Sequence, residues 1–277
     1  LDPALSRVVT AACYRGDMDT AVRSELAPGP LGTTAADGSG LGPAPTGRAQ
    51  IEVRWLGRID YRAAWALQRE LVEARVAGTI DDQLLLLEHP AVLTLGRHAD
   101  EGFVRAQPDL LARRGIEVIR VERGGEVTYH GPGQLVAYPI LGLSRRGLLV
   151  RPLVRALEGA LAATCAELGV AAGPLAGHPG CWVDPDGSQP RKIGALGLRV
   201  ERGVCFHGIA LNIDPAMADF ELLDACGMPG VISTSIATEL GRPDEQPSTL
   251  AVARAASIFA RAFARRLDAE LVGDLPA

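Results

Sequence analysis

The sequence predicts an α/β fold with a mixed sheet, and three observations carry that reading. From about Ala49 onward, strand-like and helix-like patterns alternate along the chain. Residues 83–88, QLLLLE, form a continuous apolar run of the kind found in a buried strand. Residues 192–201 and 204–213 flank Arg202-Gly203, a two-residue loop that makes an antiparallel hairpin and excludes a purely parallel sheet.

The elements follow in chain order. Residues 51–56, IEVRWL, alternate as a half-buried strand. A helix is expected over 61–76, capped by Asp60, with Leu67, Leu71 and Ala74 on one face. After the 83–88 strand, Pro90 interrupts, and AVLTLG either continues the sheet or begins a loop. Residues 116–121 make another strand, and 134–140, QLVAYPI, follow a Gly-rich loop. A helix is expected over 152–168, with Leu153, Leu157, Leu161 and Leu168 among its apolar positions. Ser248 caps a last helix running to about Val272.

Residues 1–26 show no sustained periodicity, and no secretory apolar region is recognisable. Residues 27–47 hold six Gly and four Pro in 21 positions, a composition that buries too little apolar surface to offset chain entropy. A flexible tail over 1–48 and one domain over 49–277 are therefore expected.

Composition excludes several classes. The 277 residues are 47% apolar, enough for a substantial core, and the net charge is −5. No apolar run reaches the roughly 18 residues a membrane helix needs. The acidic balance argues against a general nucleic-acid partner, which favours a basic stripe. The five Cys at 13, 165, 181, 205 and 226 form no CxxC pair and fit a reducing cytoplasm better than a disulfide scaffold. The five His show no metal-ligand spacing; His89 and His98 read as structural, and no metal site is expected.

Of the 28 basic residues, 27 are Arg and one, Lys192, is Lys. A GC-rich genome accounts for most of that bias. Arg serves wherever a permanent positive charge suffices, but not where an amine must lose its proton near neutral pH, so the lone Lys is a candidate functional group.

The stretch Arg123–Gln134, RGGEVTYHGPGQ, packs four Gly, a Pro, an Arg, a Tyr and a His between two strands. Such glycines let backbone N–H groups approach a ligand, or simply let the chain turn. The phosphate-loop pattern is absent. The stretch is either a binding loop or a long hairpin with Arg123 and His130 solvated. A loop at 202–203 pairs residues whose numbers sum to 405, so Gly197 faces Gly208 and Ala195 faces Ala210. Four small residues on one face leave a shallow trough for a ligand or for a packed helix. The same register puts Lys192 and His207 on the opposite face, so a bulge near Lys192 is required if it serves the trough. Cys226 lies in LLDACGMPG, a turn where a thiol is accessible, whereas Cys165, Cys181 and Cys205 read as inert.

RGGEVTYHGPGQLVAYPI resembles the signature of the lipoyl(octanoyl) transferases of protein lipoylation. RKIGALGLRVERGVCFHGIALNID and the Cys-Gly at 226–227 fit the same family in the same order, and the resemblance covers about residues 51–270. It implies the fold of biotin and lipoate ligases, a mixed sheet flanked by helices plus a smaller sheet. By that resemblance Cys226 holds the acyl group as a thioester and Lys192 lowers its pKa. Arg123, Gly124, Gly125, Glu126, Val127, Thr128, Tyr129 and His130 match a substrate-binding stretch. Ala195, Leu196 and Gly197, with Gly208, Ile209 and Ala210, match two more. The implied donor is octanoyl-acyl carrier protein, and the implied acceptors are lipoyl domains and the glycine-cleavage carrier protein. The implied cycle needs no ATP, metal or other cofactor. The chain departs from the family pattern where Ala225 replaces a usual Pro and where Cys181 stands for an aliphatic residue. Residues 120–202 carry ten basic and seven acidic residues, a net of +3 that would suit acidic carriers. An ATP-dependent lipoate or biotin-type ligase and a non-catalytic acyl-binding module are the alternatives.

Overall fold

The computed structural model describes residues 48–228, 230–242 and 248–276. Of the tail expected over 1–48, residues 1–47, with Cys13, lie outside the described residues.

The strands are β1 (Ala49–Arg58), β2 (Asp82–Glu88), β3 (Val92–Leu95), β4 (Glu117–Arg120), β5 (Val127–His130), β6 (Gln134–Gly142), β7 (Ala172–Leu175), β8 (His178–Val183), β9 (Arg191–Glu201), β10 (Val204–Asn212), β11 (Ile232–Ser233) and β12 (Ala269–Val272). The helices are α1 (Tyr61–Ala77), α2 (Pro108–Arg114), α3 (Leu143–Arg146), α4 (Val150–Glu167), α5 (Ile236–Glu239) and α6 (Thr249–Arg266). The main sheet runs β12-β1-β2-β6-β10-β9-β8-β7, with β11 beside β9, and a second sheet runs β4-β3-β5. β1 is parallel to both β12 and β2, whereas β6, β10, β9 and β8 pair antiparallel, so the sheet is mixed as expected.

Two apolar layers hold the main sheet. On one face Leu153, Leu157 and Leu161 of α4 and Phe259 and Phe263 of α6 pack on Leu84, Leu86, Leu135 and Leu211. On the other face Ala64 and Val72 of α1 meet Leu85, Leu87, Val136 and Phe206. β2 feeds both layers, which is why its sequence is continuously apolar rather than alternating. The small sheet has its own core, including Leu93, Leu95, Leu111, Val127 and Tyr129.

Most sequence expectations hold, and the differences have physical reasons. Asp60 caps α1 by accepting from the Ala63 amide at 3.1 Å, but the buried stripe is Tyr61, Ala64, Gln68, Val72 and Arg75. Leu67 and Leu71 only flank it, because polar Gln68 and Arg75 find buried partners there. AVLTLG enters the second sheet rather than the first. The stretch expected as one Gly-rich loop contains β5, whose VTYH alternates and pairs antiparallel with β3. The last helix ends at Arg266, six residues early. Asp268 takes a left-handed φ of 47°, and the following AELV becomes β12, which pairs along β1.

A buried ion cluster locks β2 to β6 and α3. The Asp82 carboxylate accepts from Arg75 Nε at 2.6 Å, from the Gly142 amide at 2.8 Å, and from Arg146 Nε. Removing one member of a buried pair leaves uncompensated charge, here two guanidinium groups. Asp82→Asn is expected to lower stability by about 3 kcal/mol in urea denaturation; an unchanged midpoint would mean that the cluster contributes nothing.

Candidate active site

Three chain segments meet at one small cleft, lined by Thr128, Gln134, Lys192, Gly194, Ala195, Asn212, Phe220, Ala225, Cys226 and Ser233. Cys226 and Lys192, 34 positions apart in sequence, therefore share one site.

The Cys226 turn is held from three sides. Cys226 and Gly227 have left-handed φ values of 59° and 65°, a conformation that costs a non-glycine residue about 1–2 kcal/mol. The Asp224 amide donates to Phe103 O at 2.8 Å, and the Gly227 amide donates to Asp224 O at 3.0 Å. A Cβ on Gly227 would stand 2.7 Å from Glu126 Cγ and 2.9 Å from Phe103, so only glycine lets the turn sit against the Arg123–His130 stretch. The Tyr129 hydroxyl donates to Asp219 Oδ2 at 2.7 Å and so ties β5 to the segment leading to Cys226. The Cys226 thiol is half-buried, whereas Cys165, Cys181 and Cys205 are buried in the core.

Lys192 reaches the cleft through a bulge. Trp182 pairs with Lys192 and Cys181 with Gly194, so Ile193 is one extra residue in β9. Ile193 points into the core beneath α4, and a Cβ on Gly194 would meet Cys181 and Leu161 on the same side. Lys192 is thereby turned to the side of Ala195. Strict alternation had put it on the other face, and the bulge corrects that placement. Lys192 is buried; its ammonium donates to Pro179 O at 2.9 Å and lies 4.6 Å over the Trp182 ring. Among the described residues it makes no direct hydrogen bond to Cys226.

His207 also departs from alternation. Its φ is 57°, and its ring stacks on Phe206 with centroids 4.9 Å apart, on the α1 side. The backbone irregularity, not the period of two, decides the face. The hairpin register itself holds: Gly197 faces Gly208 and Ala195 faces Ala210.

The trough is narrower than expected. A Cβ on Gly197 would stand 2.8 Å from Gly124 O, because the Arg123–Gly124 loop covers that end, and the Gly124 amide donates to Leu198 O at 3.0 Å. Gly208 abuts the Ala137 carbonyl. Leu196 and Ile209 face the α4 core, and Ala210 packs in the α1 layer. Of the six hairpin residues in question, Ala195 alone lines the cleft.

Within the Arg123 stretch, Arg123 is buried and donates to Thr94 O, Thr94 Oγ1 and Gly124 O. It is not solvated, and neither is His130. Gly125 turns with φ 85°, Glu126 accepts from the Asp100 amide at 3.2 Å, and Val127 is core. Thr128 lines the cleft. His130 Nδ1 meets Gln134 Oε1 at 2.8 Å, and Gln134 Nε2 donates to Tyr129 O and to Asn212 Oδ1. Gln134, Asn212, Phe220 and Ser233 were not among the sequence-derived site residues. The available signal was an uncharged polar residue at the end of an apolar strand, as in VCFHGIALN.

The catalytic-domain model of lipoyl protein ligases A and B matches residues 60–260. An octanoyltransferase of Acidobacterium capsulatum is 46% identical over 231 residues, covering 79% of this chain and 93% of that protein. An octanoyltransferase of Mycobacterium tuberculosis is 46% identical over 211 residues, covering 75% and 87%. The chain belongs to this family, among its octanoyltransferases. It is accordingly an acyltransferase. A lipoate protein ligase of Thermoplasma acidophilum shares the family fold, with a TM-score of 0.60 at 14% identity over 82% of this chain and 86% of that one. A lipoate-protein ligase A solved with ATP gives a TM-score of 0.56 at 14% identity, covering 82% and 88%. Among the described residues no helix is long and apolar enough to cross a membrane, and no cluster of His, Cys, Asp or Glu is placed to hold a metal ion.

His130, bonded to the cleft residue Gln134, belongs with His89 and His207 to a set of buried neutral histidines. His89 Nδ1 meets Ile59 O and its Nε2 meets Tyr138 Oη, both at 2.8 Å. Burial pushes His89 down to about 4 and His130 to about 3. His207 is lowered by burial as well. An unfolded chain binds protons at these groups once the pH drops below about 6.5, while the folded chain does not. The unfolded state is then the more protonated one, so these histidines cost stability progressively as the pH falls from 6.5 toward 3–4. Urea denaturation at pH 7.5 and pH 5 is expected to show the loss. His130→Gln, which has no proton to gain, is expected to reduce the slope; an unchanged slope would show that His130 does not contribute.

Proposed function

We propose that this chain transfers an octanoyl group from acyl carrier protein to a lysine of a lipoyl domain or glycine-cleavage carrier protein, through a thioester on Cys226. The observation that carries this reading is the meeting of the accessible thiol and the chain's lone Lys in one cleft. The family membership supports the acyl chemistry. The domain that does this work is assigned to residues 49–277, with residues 1–48 as a dispensable tail.

In the first half-reaction Cys226 Sγ attacks the donor carbonyl carbon, and the carrier thiolate leaves. One thioester replaces another at little free-energy change. A free thiol near pKa 8.5 is only a few per cent thiolate at neutral pH, so a cation must favour the anion. In the second half-reaction the acceptor amine attacks the acyl carbon, the C–Sγ bond breaks, and the amine proton passes to a base, the role assigned to neutral Lys192. The product amide is far more stable than a thioester, which drives this step. The Arg123–His130 stretch, which reaches the cleft through Thr128, is assigned to substrate binding. Neither half-reaction consumes ATP.

The direct test is the mass of the protein after incubation with octanoyl-acyl carrier protein. A gain of one octanoyl group on Cys226 is expected, and Cys226→Ser is expected to abolish both adduct and transfer. A Ser hydroxyl has no neighbouring base strong enough to make an alkoxide. Turnover that required ATP and a free acid would replace this reading with a ligase.

Lys192→Arg separates charge from proton transfer. Arg remains a cation but does not deprotonate, since its pKa exceeds about 12. Acylation of Cys226 is expected to persist at a reduced rate while transfer to the acceptor amine is lost. A fully active Arg variant would remove the base role from Lys192.

A further inference from the structure

Lys192 enters the cleft with its backbone fixed on both sides. β9 pairs there with Trp182 of β8 and with Ser233 of β11, and the Lys192 carbonyl accepts from the Thr234 amide at 2.9 Å. Beyond Cα, however, the amine rides on a flexible four-carbon stem. Left to itself such a stem samples many rotamers, so a fixed backbone does not fix the amine.

Strand β8 removes that freedom with three features in four residues. Pro179 O accepts from Lys192 Nζ at 2.9 Å. Gly180 has a φ of 126°, and a Cβ there would stand 3.3 Å from both Lys192 Cε and Nζ and would collide with Gly194 O, so the missing side chain admits the amine. Trp182 offers its ring face, with Nζ 4.6 Å from the centroid. The cradle is itself anchored. Glu158 of α4 accepts from the Gly180 amide at 3.1 Å, and Trp182 Nε1 donates to His178 O at 2.9 Å. The indole N–H is thereby occupied, and the ring meets the amine with its face alone.

Burial and charge agree with this arrangement. Lys192 is 6% exposed, and among the described residues no carboxylate forms an ion pair with it. A buried ammonium without a counter-ion is costly, and the face of an indole is the best aromatic partner for one. Trp182 is buried as well but is absent from the cleft lining, so its contact with the site runs through Lys192.

We propose that Trp182 is a positioning residue that seats the Lys192 amine at the Cys226 cleft, with Pro179 O and the bare backbone of Gly180 completing the seat. The proposal rests on the role assigned to Lys192 in octanoyl transfer.

The test uses the fact that the full chain holds a single Lys. Carbon-13-labelled lysine then gives one Cε–Hε correlation by NMR, and Lys192→Met, which removes it, fixes the assignment. Protons above an indole face are shielded, so the signal is expected upfield of free lysine. Trp182→Phe is expected to keep most of that shift and Trp182→Leu to lose it. In the transfer assay Trp182→Leu is expected to lower kcat about ten-fold, the scale of one desolvated cation–π contact, with KM for octanoyl-acyl carrier protein nearly unchanged. Trp182→Phe is expected to recover most of the loss. Tetrafluorotryptophan at position 182 keeps the ring's shape, and so its packing, while depleting the negative charge of its face; it is expected to lower kcat as the Leu variant does. An unshifted signal in the parent, a signal unmoved in Trp182→Leu, or a parental kcat with the fluorinated ring would each overturn the proposal. If Lys192→Met transfers octanoyl at the parental rate while the ring-dependent shift is present, the role assigned to Lys192 falls and the seat stands.

Discussion

One extra residue in β9 is the constraint on which the site depends. The slip at Ile193 lets two consecutive positions serve the α4 side, and Lys192 consequently emerges on the side of Cys226. Without it, the period of two would place the ammonium under the sheet, where an unpaired charge is not tolerated. The bulge also brings the Trp182 face and the Pro179 carbonyl to the amine.

The second requirement is the approach of two loops that belong to different layers. The small sheet carries the Arg123 stretch, and the segment after β10 carries Cys226. They meet where Gly227 has no side chain and Glu126 fills the space. A left-handed Cys226 is strained on its own; the hydrogen bonds from Asp224 to Phe103 and from Tyr129 to Asp219 hold the turn in place. Such strain persists only where neighbouring contacts over-determine it, as at functional sites.

Several ionisable groups of the interior carry no charge. Three histidines are neutral, two tyrosines keep their protons, and the glutamates of the Arg123 loop are engaged elsewhere. Arg75 is neutralised by Asp82, whereas Arg123 is held by neutral acceptors.

The sequence by itself determined the mixed sheet, the hairpin register and the small set of reactive groups. These follow from local rules: a two-residue loop imposes a pairing sum, QLLLLE is buried on both faces, and a lone Lys among 27 Arg singles out one amine as a candidate. The reading of Arg123–Gln134 as a single loop missed β5, because its glycines hid four residues of ordinary strand alternation. What the tertiary structure alone decided were the faces and the neighbours. The bulge at Ile193 and the left-handed backbone at His207 break the period of two, and neither leaves a mark in the pattern of apolar residues. Likewise Gln134 and Asn212 become part of the cleft only because β6 and β10 lie side by side. Whether a buried arginine has a carboxylate beside it depends on contacts between residues far apart in the chain, which no local pattern records.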